Sequence, residues 1–61
     1  MRINTIDYIA AMKKKPAGMG HWKFSIAGRA VWFEFMSYTE ARKAAIRKAE
    51  ELKAQKIFLF P

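Results

Sequence analysis

The chain has no cysteine, one histidine and only five acidic residues among its 61. Without cysteine it can form neither a disulfide nor a thiolate zinc site, and small secreted domains usually depend on disulfides. The absence favours a reducing compartment, so we expect the protein in the cytoplasm. No apolar run approaches the roughly 18 residues of a membrane span, and no membrane partner is expected. One histidine with scattered carboxylates predicts no metal site and no cofactor.

What the chain does contain is apolar and basic. Hydrophobic residues make up 52% of it and aromatic residues 15%, enough to predict a packed core. A chain of this length predicts a single domain over residues 1–61. Twelve Lys and Arg residues give a net charge of +7, which favours a polyanionic partner.

A first helix is predicted to begin at the N-cap Asn4. Ile6, Ile9 and Ala10 recur at helical spacing and are expected to form its buried face. The helix should end at the lysine run 13–15, because Pro16 cannot continue it.

From His21 the apolar period changes to two, which predicts a hairpin that turns at Ala27-Gly28. With a two-residue turn, facing residues have numbers that add to 55. One face then carries the core residues Trp22, Phe24, Val31 and Phe33, continued by Phe35. On the other face the predicted pairs are His21 with Glu34, Lys23 with Trp32, and Ser25 with Ala30, followed by Met36.

Ser37 and Glu40 form a capping box that predicts a second helix from Tyr38 to about Gln55. Its apolar stripe is mostly alanine, so it can lie close to the sheet. Residues 56–60 are too few for a helix and predict a closing strand. The predicted fold class is α+β, with element order α-β-β-α-β and a three-stranded, mainly antiparallel sheet with both helices on one face.

The uncovered sheet face is the main functional candidate, because aromatic planes stack on bases while cations neutralise phosphates. The predicted nucleic-acid-binding residues are Lys13, Lys14, Lys15, Lys23, Arg29, Trp32, Lys43 and Arg47. Two other interpretations stay open. The first helix could cover this face and bury Trp32, or the face could bind a partner protein through Trp32, Met36, Phe58 and Phe60.

A catalytic alternative rests on the only histidine. His21 could act as a general base if Glu34, across the hairpin, orients it.

Residues 33–41 read Phe-Glu-Phe-Met-Ser-Tyr-Thr-Glu-Ala, and through this pattern the segment from His21 to about Gln55 resembles the arm-type DNA-binding modules of phage and transposon integrases. In those modules a short hairpin ends in an aromatic residue, and a Ser-Tyr-Thr-Glu-Ala-like stretch then opens a basic helix. The resemblance implies a sheet that enters the DNA major groove, with Lys23, Arg29 and Trp32 at the DNA.

The segment 21–24, His-Trp-Lys-Phe, also resembles HicA-type mRNA interferase toxins, in which a histidine precedes an aromatic residue at the start of a strand. This resemblance implies RNA cleavage with His21 as the base. The usual Gly-Ser-His triplet of that family is absent here.

The sequence therefore predicts first a small nucleic-acid-binding protein that is not an enzyme, of the kind that phages and mobile elements encode. A protein-binding module or inhibitor is the alternative, and a His21-dependent ribonuclease the third. An edge strand and an apolar sheet face also favour association into a homodimer.

Overall fold

The computed structural model describes residues 2–61, which form two helices and one four-stranded sheet. In chain order the elements are β1 (Ile3–Asn4), α1 (Ile6–Met12), β2 (Met19–Ile26), β3 (Arg29–Ser37), α2 (Tyr38–Glu51) and β4 (Ile57–Leu59). The α+β class is confirmed. The sheet order is β1-β4-β2-β3, so β4 lies between the first strand and the hairpin.

The sheet is mixed and has four strands, which corrects the prediction of three mainly antiparallel ones. β1 pairs with β4 in parallel, with Ile3 beside Ile57 and Asn4 beside Phe58. The other two pairings, β2 with β3 and β2 with β4, are antiparallel. A two-residue strand has no apolar period of its own, and its partner lies more than 50 residues away in the sequence, so nothing local signals it.

The hairpin register is as predicted near its turn. Trp22 pairs with Phe33, Lys23 with Trp32, Phe24 with Val31, and Ser25 with Ala30. The two turn residues both have positive φ, 53° at Ala27 and 76° at Gly28. That combination is characteristic of a type I′ turn, whose twist matches that of the flanking strands.

A β-bulge between Gly20 and Trp22 ends this register and corrects three predictions. Gly20 pairs with Met36, so two residues, Glu34 and Phe35, face the single residue His21. Because of the extra residue, the side chains of β3 that follow the bulge point to the opposite face from the one predicted. Met36 packs against the core instead of the outer face, whereas Phe35 is 59% exposed instead of buried. The predicted one-to-one pairing of His21 with Glu34 is lost.

Helix α2 begins at the predicted cap, where the Ser37 hydroxyl accepts a hydrogen bond from the Glu40 backbone N–H at 3.2 Å. It ends at Glu51, earlier than the predicted Gln55. Lys53 takes a left-handed conformation with φ of 55°, and the Ala54 N–H then donates to the Ala49 carbonyl at 2.8 Å. This is the Schellman arrangement that closes helix C-termini.

Helix α1 buries a different face from the one predicted. Its N-cap is Thr5, and Asn4 instead uses its side-chain oxygen to accept from the Ile6 N–H at 3.0 Å. Ile6 and Ile9, expected in the core, are 70% and 38% exposed. The buried residue is Tyr8, whose ring centre lies 5.8 Å from that of Trp22. The contact of Tyr8 with Trp22 depends on a residue 14 positions away in the sequence, so the periodicity of the helix does not indicate it.

The core lies between the two helices and one face of the sheet. It consists of Tyr8, Trp22, Phe24, Ile26, Ala41, Ala45, Ala49, Ile57 and Leu59. The Trp22 indole N–H donates to the Met36 carbonyl at 3.0 Å, which satisfies the polar atom of this buried ring. Since Tyr8 and the three alanines belong to one cluster, α1 and α2 pack on the same side of the sheet. Neither helix in residues 2–61 is long and apolar enough to cross a membrane.

Candidate nucleic-acid interface

The sheet surface opposite the helices, here called the open face, carries every second residue of the strands. Its members are His21, Lys23, Ser25, Ala30, Trp32, Phe35, Phe58 and Phe60. Four of them are aromatic residues with large exposed surfaces: Trp32 is 68% exposed, Phe35 59%, Phe58 38% and Phe60 36%. The interpretation in which α1 covers this face and buries Trp32 is therefore wrong.

The centre of the open face is a lysine between two rings. Lys23 on β2 lies directly across from Trp32 on β3. On its other side the backbone N–H of Phe60 donates to the Lys23 carbonyl at 2.9 Å, so Phe60 continues the sheet beyond β4. The Lys23 ammonium is 4.4 Å from the Trp32 ring centre and 4.7 Å from that of Phe60. Both distances are within cation–π range, so the rings and the charge hold one another in place.

Two further rows of side chains flank this central row. Towards the bulge, the His21 and Phe35 rings are in contact, with centres 5.6 Å apart. Towards the hairpin turn, Phe58 lies beside Ser25. Rows on a strand are two residues apart, roughly 6.6 Å. The open face thus presents aromatic planes at regular intervals around one positive charge.

A groove of about 330 Å³ joins the open face to the loop after α1. Lys23, His21 and Trp32 line it from the sheet, and Met12 and Lys14 line it from the end of α1 and the loop. No acidic residue contributes to its lining among residues 2–61. The groove therefore brings the lysine run next to the aromatic face.

The structure brings together only some of the predicted cations. Lys14 and Lys23 line the groove, and Lys13 and Lys15 are exposed on either side of Lys14. Arg29 pairs with the buried Ile26, and residues that face each other share a side of the sheet, so Arg29 is exposed on the helix side.

Two more predicted cations also lie away from the open face. Lys43 and Arg47 are exposed on α2, opposite the buried stripe formed by Ala41, Ala45 and Ala49. Since that stripe packs on the far side of the sheet, the whole core and sheet separate these two cations from Trp32.

The residues of the two alternatives are placed as follows. For protein binding, Trp32, Phe58 and Phe60 share the open face, whereas Met36 is turned into the core. For catalysis, the His21 imidazole contacts the Phe35 ring across the bulge, where Glu34 was expected to orient it. Within residues 2–61, no three His, Asp or Glu side chains are grouped so that they could hold a metal ion.

Sequence reasoning missed Phe35 and two residues of the groove, Met12 and Met19. Alternation alone assigned Phe35 to the core, and only the bulge reverses it. Met12 and Met19 are exposed and apolar, and α1 and β2 bring them to one groove although they belong to different elements. No local pattern could have joined them.

Comparisons with protein-family models, with curated proteins and with solved structures found no match to this chain.

Proposed function

We propose that the protein binds single-stranded nucleic acid on the open face. Bases stack on the exposed ring of Trp32 and on its aromatic neighbours, while lysines at the groove neutralise phosphates. The observation that carries this proposal is a sheet face left uncovered by both helices, on which Trp32 is 68% exposed beside Lys23. Stacking on aromatic side chains is the common way in which proteins hold unpaired bases.

The arrangement of charge favours a single strand over a duplex. A protein that docks in the DNA major groove places cations against the phosphates that border it. Here Arg29, Lys43 and Arg47 lie on the helix side of the sheet, whereas Lys23 lies at the centre of the open face and Lys14 lines the groove beside it. Aromatic rings flank the central lysine, and such rings stack most readily on unpaired bases.

The test is a titration with single-stranded DNA, single-stranded RNA and double-stranded DNA of one length, followed by tryptophan fluorescence. Trp22 is buried and Trp32 exposed, so a base that stacks on the open face quenches the emission of Trp32. We expect micromolar or tighter binding to one or both single strands and weaker binding to the duplex. Trp32→Phe keeps a ring for stacking, so it should retain binding and lose most of the quenching.

Trp32→Ala should weaken single-strand binding by about 1–3 kcal/mol, the contribution of one stacked base. Ile6→Ala is the matched control, because Ile6 is 70% exposed but lies on α1, away from the open face. Absence of binding to all three nucleic acids at low salt would contradict the proposal. If Trp32→Ala and Ile6→Ala lose the same affinity for single strands, the open face is not the binding surface.

A partner protein is the second candidate, favoured by the extent of exposed aromatic surface on one face. Trp, Phe and Tyr side chains often dominate the energy of protein interfaces. Trp32→Ala should abolish binding of such a partner, whereas Lys23→Ala should leave it unchanged. Nucleic-acid binding should be weakened by both substitutions. The two variants therefore separate the two functions.

A further inference from the structure

The groove beside the open face combines two kinds of wall. Met12, Met19 and Trp32 supply apolar and aromatic surface, and Lys14 and Lys23 supply positive charge. The groove also contains the imidazole of His21, which can donate a hydrogen bond. A ligand that matches both walls has a flat apolar body and a negative charge close to it.

The dimensions limit the ligand to a small one. At about 330 Å³ the groove is at the lower end of the range for small-molecule sites, roughly 300–1,000 Å³. This volume is of the size of one nucleotide. No acidic side chain in residues 2–61 lines it, and the charged side chains that do, Lys14 and Lys23, are both positive.

We propose that this groove is a subsite for a single nucleotide of the bound strand, an inference that rests on the function proposed above. The base lies between Trp32 and the two methionines, and the phosphate lies between Lys14 and Lys23. The subsite gives the lysine run after α1 a specific role, since Lys14 alone of the three lysines lines the groove. It also fixes one end of the strand's path across the sheet.

The methionines provide an internal test by NMR of their labelled methyl groups. Met12 and Met19 line the groove, while Met36 packs against the core and serves as the control. The probes are uridine 5′-monophosphate, uridine without phosphate, and single-stranded pentanucleotides of DNA and RNA. We expect the monophosphate and the pentanucleotides to shift the signals of Met12 and Met19 but not that of Met36. Uridine alone should shift them much less at the same concentration.

Two variants sharpen the assignment. Ala17→Trp adds a bulky ring to the groove lining without changing charge, and should abolish the monophosphate-induced shifts. Lys14→Ala should weaken monophosphate binding about tenfold, the effect of losing one charge-assisted hydrogen bond. Lys13→Ala removes the same charge from the neighbouring position outside the groove lining and should change the affinity far less.

The outcomes distinguish this subsite from the function on which it rests. If the pentanucleotides move the Trp32 indole signal but leave Met12 and Met19 unmoved, the subsite is wrong and the open face remains the binding surface. If they move neither tryptophan nor methionine signals, both proposals fail. If uridine and its monophosphate act alike, the groove is an apolar site without phosphate recognition, and the subsite is also wrong.

Discussion

In the described part of the chain, residues 2–61, three residues that carry side chains adopt left-handed backbone conformations: Lys13 (φ 61°), Ala27 (53°) and Lys53 (55°). In this region Cβ crowds the carbonyl oxygen that follows it, at a cost of roughly 1–2 kcal/mol for ordinary residues. Each of the three stands where the chain must reverse: the end of α1, the hairpin turn and the end of α2. The backbone is therefore strained at these three positions, and glycine or asparagine would adopt the same conformation with less strain.

Lys53→Gly should therefore raise the free energy of unfolding, by about 0.5–1 kcal/mol. The gain is the strain relieved at φ of 55°, reduced by the greater freedom of glycine in the unfolded chain. Urea denaturation measures it. Lys53→Ala is the control, because it removes the same charge and keeps Cβ, and it should not stabilise. If the alanine variant gains as much as the glycine variant, the effect comes from charge and not from the backbone.

At the scale of elements, the sequence is informative where pairing is local. The register of the hairpin follows from its two-residue turn, and the start of α2 from Ser37. Strand β4 likewise has the predicted alternation, with Ile57 and Leu59 buried and Phe58 outside. In each case neighbours in sequence are neighbours in space, so side-chain period and turn chemistry are sufficient.

The errors lie where distant residues decide. β1 exists because it can pair with β4, and α1 presents Tyr8 because Trp22 is there to receive its ring. The bulge is the most consequential case, since one extra residue exchanges Phe35 and Met36 between the core and the open face. Strict alternation carries no information about such an insertion, and the composition of the candidate site changes with it.

The alanine stripe of α2 sets how closely this helix approaches the sheet. Ala41, Ala45 and Ala49 are fully buried, so no space remains there for a larger side chain. We expect Ala45→Leu to destabilise the fold by about 1–3 kcal/mol through overpacking, measured by urea denaturation. Lys43→Leu places the same residue on the exposed side of the same helix and should change stability by less than about 0.5 kcal/mol. An unchanged Ala45→Leu variant would mean that α2 does not pack flush on the sheet.

Across the whole molecule, positive charge is present on both sides of the sheet. Lys43 and Arg47 are exposed on the helix layer, and Lys14 and Lys23 lie at the groove beside the open face. A net charge of +7 attracts any polyanion, so weak binding alone would not locate the site. The binding site is located by separating the cations that contact phosphates from those that only add to the overall positive potential of the protein.

This difference is measurable as a salt slope. For single strands the logarithm of the affinity falls with the logarithm of salt concentration by about 0.7 for each phosphate contact. If Lys14 and Lys23 each contact one phosphate, the slope is about −1.4. Lys23→Ala and Lys43→Ala lower the net charge by the same amount. We nevertheless expect only Lys23→Ala to make the salt slope less steep, by about 0.7. Affinities measured between about 50 and 200 mM salt decide the matter. Equal slopes in the two variants would mean that the protein attracts nucleic acid by its net charge, and that the lysine between Trp32 and Phe60 does not neutralise a phosphate.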